Sequence, residues 1–165
     1  KQRERVLDSV QDEVAEFVTG LMAANVSHST AEEGGKQLRV ADEYESISDY
    51  IVNLDKFDRK LRRDGLRFTV EQREDLGRLN RQVTEYVAAI HQALIKGDRN
   101  IEVASEPAFK RIRTEVKALR RKHLDELSVG SMPPAVSVAF MASLNAYVRV
   151  RDHANDVAET IAVDR

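Results

Sequence analysis

The chain has 165 residues, enough for one domain with a sizeable core, and its side chains are 42% apolar and 33% charged. Its 7 glycines, 3 prolines and 5% aromatic content argue against a β-sandwich, a barrel or a doubly wound sheet. The net charge is −2, so the chain lacks the basic excess typical of nucleic-acid-binding proteins. It has no cysteine, which excludes a disulfide, a thiolate nucleophile and a zinc site with cysteine ligands.

The first helix is predicted over residues 2–25. Its apolar residues form one stripe at spacings of three and four: Val6, Val10, Val14, Phe17 and Leu21. A second stripe contains Leu7, Val18 and Met22. One stripe can pack inside the bundle and the other needs cover, so we expect a homodimer with this helix in the interface, and a charge at Val18 or Met22 is expected to give a folded monomer.

The second helix is expected to begin between Ser29 and Lys36, since Ser29 and Glu32 fit a capping box while Gly34-Gly35 favours a later start. It ends at Asp64-Gly65. Its apolar stripe consists of Val40, Tyr44, Ile47, Ile51, Leu54 and Leu61.

Three more helices complete the pattern. The third begins at Thr69, with Gln72 three residues on as in a capping box, and ends at Gly97. The fourth is predicted to open at Ser105-Glu106-Pro107 and to end at Gly130; the fifth runs from Pro133-Pro134 to about Val163. No segment alternates with period two, so the sequence predicts an all-α, antiparallel bundle of about five long helices in a single domain, 1–165.

Two pairs of carboxylates stand out on these helices. Glu45 and Asp49 are i, i+4 neighbours on the second helix, and Asp152 and Asp156 are i, i+4 neighbours on the fifth. Asp152 falls where the apolar progression would place an apolar residue, and an unpaired carboxylate is costly to bury. A basic partner would offset that cost, and so would a metal ion held between facing helices, for which hard oxygen ligands suit Mg, Ca, Mn or iron. The alternative is a solvated acidic face.

Basic residues also come in runs. One comprises Lys56, Arg59, Lys60, Arg62 and Arg63, and another Lys117, Arg120, Arg121 and Lys122. A solvated helix face accounts for both, and contact with an anionic membrane surface or with phosphate is the alternative.

Catalytic signatures are missing from the sequence. It contains none of the phosphate-loop, dinucleotide, nucleophile-elbow or HExxH motifs. A carboxylate-bridged metalloenzyme would use Glu-x-x-His on two helices, and no such pair occurs. The chain is therefore predicted not to be an enzyme.

The stretches from Glu45 to Asn53 and from Val148 to Glu159 resemble the two copies of the ExxxD helix motif of the PhoU family, whose usual form is close to LERIGDHAVNIAE. The second copy matches in Asp152-His153-Ala154 and in Val157-Ala158-Glu159. Val148 stands where the motif has Glu, and Asp156 where it has Asn. The resemblance implies metal ligation by Glu45, Asp49, Asp152 and Asp156, with iron, zinc, manganese, magnesium or calcium as the ion.

The resemblance also implies an organisation and a setting. PhoU-like proteins consist of two three-helix repeats; here residues 1–64 would be a first, incomplete repeat and 69–163 a complete second one. Such domains occur on the cytoplasmic side of sodium/phosphate cotransporter-family membrane proteins. A chain that begins at Lys1 and has no membrane-spanning segment or signal peptide suits a fragment of such a protein.

We therefore expect a regulatory domain that senses metal or phosphate status and contacts the membrane transporter domain of the same polypeptide. A free-standing regulator of phosphate-uptake signalling is the alternative. No nucleic-acid partner is expected.

Overall fold

The computed structural model describes residues 2–23, 27–130 and 132–162, and this part of the chain contains five α-helices and no β-strand. The helices are α1 (Gln2–Ala23), α2 (His28–Arg63), α3 (Val70–Lys96), α4 (Ile101–Val129) and α5 (Pro134–Ala162). The prediction of an all-α bundle of five helices is confirmed. The predicted ends of the first and fifth helices, Asn25 and Val163, lie outside the described residues. None of the described helices is both long and apolar enough to span a membrane.

The start of α3 follows the predicted capping box. The Gln72 amide donates to Thr69 Oγ1 at 3.0 Å, and the Thr69 amide donates to Gln72 Oε1 at 3.1 Å. Gly97 ends the helix in the left-handed conformation, with φ of 64°, which glycine adopts without steric cost.

α2 starts earlier than predicted, and Gly34-Gly35 lies inside it rather than before it. Ser27, not Ser29, is the N-cap, and its hydroxyl accepts from the Thr30 amide at 3.3 Å. Gly34 has a packing reason to be in the helix, because a Cβ added there would lie 3.1 Å from Val18 Cγ1 of α1. The missing side chain lets α1 approach closely.

α4 also starts earlier than predicted, at Ile101 rather than at Ser105. The N-cap residue Asn100 makes no side-chain hydrogen bond to the first turn. The early start is favoured instead by the burial of Ile101 in the core. Pro107 lies inside the helix, where its ring nitrogen cannot donate to the Val103 carbonyl.

The five helices form a three-helix unit with a helical hairpin attached. α3, α4 and α5 pack against one another, α2 packs against α5, and α1 contacts α2 alone among the described helices. Contacts of α2 with α5 run from Glu43–His153 to Tyr50–Arg149, so these two helices are antiparallel. α5 therefore lies at the centre and has the most buried residues, with Leu144, Val157 and Ala158 fully enclosed.

The buried faces of α1 and α2 differ from the predicted apolar stripes. In α1 the prediction that Val18 lies at a dimer interface is wrong, because Val18 is 4% exposed and packs against Gly34 of α2. Val6, Val10 and Phe17 of the other stripe are 57%, 48% and 69% exposed. The side chain of Met22 lies outside the described ones. In α2, Ile51 is exposed and its neighbour Tyr50 packs against the core instead.

Candidate functional site

The interface between α2 and α5 contains a cluster of side chains able to bind a metal. Glu43 lies on the face of α2 that packs against α5, between the buried Val40 and Ile47. His153 and Asp156 lie on α5 at i, i+3, which places them on one face. Helix periodicity on two facing helices thus brings the three side chains together.

The three side chains are close enough to share one ion. His153 Nδ1 lies 2.7 Å from Glu43 Oε2, and one ligand atom from each of Glu43, His153 and Asp156 lies within 4.8 Å of the others. Glu43 and His153 are partly buried, with side chains 24% and 19% exposed, and Asp156 is exposed. The cluster is open to solvent on the Asp156 side.

The imidazole of His153 is held by its neighbours. The Tyr50 ring stacks on it at 5.6 Å between centroids and 25° between planes. Arg149 Nε in turn donates to the Tyr50 hydroxyl at 3.3 Å. Fixing a ligand ring in this way lowers the entropy cost of binding an ion.

Two further carboxylates, Glu43 and Glu159, lie near Asp156. Burial raises the pKa of Asp156 above its ordinary value, and the negative charges of Glu43 and Glu159 raise it further. A cation bound at the cluster would relieve the repulsion at Asp156. Outside the cluster, burial also raises the pKa of Glu45, and the charges of Asp49, Asp8 and Asp42 raise it further.

The four predicted ligands do not lie together. Asp156 belongs to the cluster, while Glu45, Asp49 and Asp152 are not among its three ligand residues. Glu45 shares a helix face with Asp49 and with Asp42, whose carboxylate accepts from Gln11 of α1 at 2.8 Å. The first predicted pair is therefore associated with the α1 side of α2.

Asp152 has a cation as its partner. Arg151 Nε donates to Asp152 Oδ1 at 2.9 Å, and Arg151 Nη2 donates to the same oxygen. The Arg151 guanidinium is itself buried, 4.2 Å from the centroid of the Phe109 ring. An ion pair next to an aromatic face thus compensates the charge of Asp152 within the chain.

The donor set fits a divalent metal. Two carboxylates and one imidazole are the mixture that zinc, manganese and ferrous iron accept, whereas calcium and magnesium prefer oxygen alone. Three protein ligands leave a coordination position open to solvent or to an anion.

Glu43 was missed by the sequence analysis, although the sequence holds a signal for it. The spacing of Val40, Glu43, Ile47 and Tyr50 puts an acid on the apolar stripe of α2, just as Asp152 interrupts that of α5. The PhoU-like motif instead predicts Glu45, which is two residues after Glu43 and about 200° from it around the helix.

No protein-family model matches the chain, and a comparison with curated proteins finds no match.

Proposed function

We propose that this chain is a regulatory metal-binding domain that acts with a membrane transporter of the sodium/phosphate cotransporter type, on the cytoplasmic side. The observation that carries the proposal is the Glu43–His153–Asp156 cluster between α2 and α5. Its two α5 residues come from the stretch that resembles the second PhoU motif.

The position of the cluster suits a regulatory role. α2 is the helix through which the α1–α2 hairpin packs against the three-helix unit, and its contacts there are with α5. Glu43 belongs to the α1–α2 hairpin and Asp156 to the three-helix unit, so a divalent cation bound by both would hold the hairpin against that unit. The position of the hairpin would then depend on whether metal is bound. We propose that the hairpin is the surface that contacts the partner domain.

A calorimetric titration tests the site directly. Zinc or manganese should bind the unaltered protein with one equivalent per chain, because one imidazole and two carboxylates converge. Glu43→Gln and Asp156→Asn should each abolish binding, since either change removes a charged ligand while preserving size.

Asp49→Asn is the matched control, because it removes a carboxylate of the predicted motif that lies outside the cluster. Retained binding in Asp49→Asn, together with lost binding in Glu43→Gln and Asp156→Asn, would support an ion at the cluster. Loss of binding in Asp49→Asn alone would instead favour the site at Glu45 and Asp49. An unaltered protein that binds none of zinc, manganese, iron, magnesium and calcium would contradict the proposal.

We also propose that the exposed stripe of α1 forms a homodimer interface. Val6, Val10 and Phe17 are apolar, are largely exposed and share one face of α1 by their spacing. Burial of such a stripe against a second copy removes apolar surface from water on both chains.

A further inference from the structure

The middle of the α4–α5 pair is strongly basic. Residues 107–124 and 134–151 together hold 9 Lys or Arg and 1 Glu, a net charge of +8. The two segments lie side by side, since α4 packs against α5 and Arg120 Nη2 donates to Asn145 Oδ1 at 2.6 Å. The positive charge of both segments is therefore concentrated on one part of the bundle, near its mid-length.

Some of this charge is neutralised within the chain and some is not. Lys122 pairs with Asp75 at 2.7 Å, and the one acid of the two segments, Glu115, contacts Arg78 of α3 at 3.6 Å. Five cations form no ion pair with another described residue, and we call them the basic patch: Arg113, Lys117, Arg120, Arg121 and Arg149. All but Arg120 are classed as exposed, and Arg120 is partly exposed.

The α1–α2 hairpin has the opposite charge. Residues 2–55 hold 4 Lys or Arg and 12 Asp or Glu, a net charge of −8. Among the described residues α4 packs against α3 and α5, and not against α1 or α2. The hairpin therefore does not neutralise the charge of α4 within one chain. The overall net charge of −2 conceals this segregation.

Acids of α1 and cations of α4 repeat with the same spacing. The residues at i, i+4 and i+8 are Asp8, Asp12 and Glu16 on α1, which we call the acidic row, and Arg113, Lys117 and Arg121 on α4. Consecutive members of either row are about 6 Å apart along the helix axis. The acidic row makes no ion pair with another described residue, and two of its three members are exposed. Three carboxylates would thus meet three cations if the two helices packed side by side.

We propose that the acidic row of one copy of the chain docks on the basic patch of another copy. Opposite charges at matching spacing orient the two surfaces and raise the rate of encounter. A nucleic acid or an acidic membrane would repel the net charge of −8 on the hairpin. A second copy instead complements both charged regions of the chain.

This contact is distinct from the dimer interface proposed for the apolar stripe of α1. Asp12 lies about 160° from Val10 and about 140° from Phe17 around the helix, so the two surfaces of α1 face different directions. The contact joins unlike surfaces and is therefore head-to-tail. It would link dimers of the apolar stripe into larger assemblies at low ionic strength.

Sedimentation velocity of a chain without the apolar stripe tests the proposal. In the background Val10→Ser/Phe17→Ser, the protein should self-associate at tens of micromolar in about 0.05 M salt, and it should be monomeric in about 0.5 M salt, where charges are screened beyond about 4 Å. Arg113→Glu/Lys117→Glu/Arg121→Glu in this background should weaken association by about tenfold or more, since three attractive contacts become repulsive.

Two further variants carry the net charge of the background and so separate complementarity from net charge. Addition of Asp8→Lys/Asp12→Lys/Glu16→Lys to the reversed basic residues makes the two rows complementary again, and association should return. Addition of Glu74→Lys/Glu85→Lys/Glu102→Lys instead restores the net charge alone, at exposed positions of α3 and α4, and this chain should stay monomeric. Circular dichroism checks that every variant is helical.

Three results would overturn the proposal: no salt-sensitive association of the background, no return of association in the doubly reversed chain, or equal association of the two charge-matched variants. Binding of polyuridylate or of phosphatidylserine vesicles without self-association would assign the basic patch to another anion and would overturn it as well. The apolar dimer is measured in about 0.5 M salt and metal binding by calorimetry, so each proposal can fail without the others.

Discussion

His123 is a fully buried imidazole in α4. Its Nε2 lies 2.8 Å from the Ser137 hydroxyl, its ring packs on Phe140 at 4.8 Å, and its Nδ1 has no hydrogen-bond partner among the described residues. Burial lowers the pKa of His123, and the charge of Glu126 opposes this only in part. The imidazole is therefore neutral in the folded state at neutral pH.

The pH dependence of stability should follow from His123. Because its pKa is lower in the folded than in the unfolded state, the unfolded state takes up more protons as the pH falls through about 6.5. The free energy of unfolding should therefore decrease between pH 7.5 and 5, as measured by urea denaturation. His123→Gln should flatten this slope. An unaltered slope in His123→Gln would show that other groups cause it.

Asp156 should carry a stability cost when no metal is bound. Its raised pKa means that the folded state disfavours the ionised form, so the carboxylate is destabilising above its folded pKa and this effect fades as protons bind at lower pH. In chelator at pH 7, Asp156→Asn should therefore unfold at a higher temperature than the unaltered protein, while it loses the thermal shift caused by zinc or manganese. A lower melting temperature in chelator would instead assign Asp156 a structural role.

At the scale of the helix, the neighbouring glycines Gly34 and Gly35 of α2 differ in what an added side chain would contact. An alanine at Gly35 meets no atom within 4 Å and should raise the free energy of unfolding by up to about 1 kcal/mol through helix propensity. An alanine at Gly34 meets Val18 Cγ1 at 3.1 Å, so Val18 must shift and the gain should be smaller or reversed. Urea denaturation of the two variants measures the difference; equal effects would mean that Gly34 is not needed for the approach of α1.

Element positions that depend on local signals were predictable, and those that depend on tertiary contacts were not. The start of α3 is set by a capping box of four consecutive residues, Thr69 to Gln72, so the local sequence predicts it. The start of α4 depends on the burial of Ile101, and the choice of Val18 over Phe17 depends on the space at Gly34 across the interface.

The candidate site divides in the same way. The stretch of α5 that resembles the PhoU motif contains both His153 and Asp156. The resemblance predicted only Asp156 as a metal ligand. Spacing places Glu45 and Asp49 on one face of α2, but it does not tell which helix that face meets. In the structure Asp42 of that face accepts a hydrogen bond from Gln11 of α1, and Glu43 contacts His153 of α5 instead.

At the scale of the whole molecule, the exposed stripe of α1 predicts self-association. Sedimentation equilibrium at tens of micromolar should give a dimer, and Val10→Glu or Phe17→Glu should give a folded monomer. Val138→Glu is the control, because Val138 is as exposed as Phe17 but lies on α5. Val18 is not suitable for this test, since a charge at that buried position would detach α1 from α2. A monomeric unaltered protein would rule out the interface.

The most direct test of a metal-controlled hairpin is hydrogen exchange with and without one equivalent of zinc or manganese. Glu43 and Asp156 lie on different helices, so a shared ion should slow amide exchange in both, over residues 40–54 of α2 and 150–158 of α5, and leave α4 unchanged. The same metal should have no effect on Glu43→Gln. Unchanged exchange in α2 and α5 when metal is added, or equal slowing in Glu43→Gln, would contradict the account.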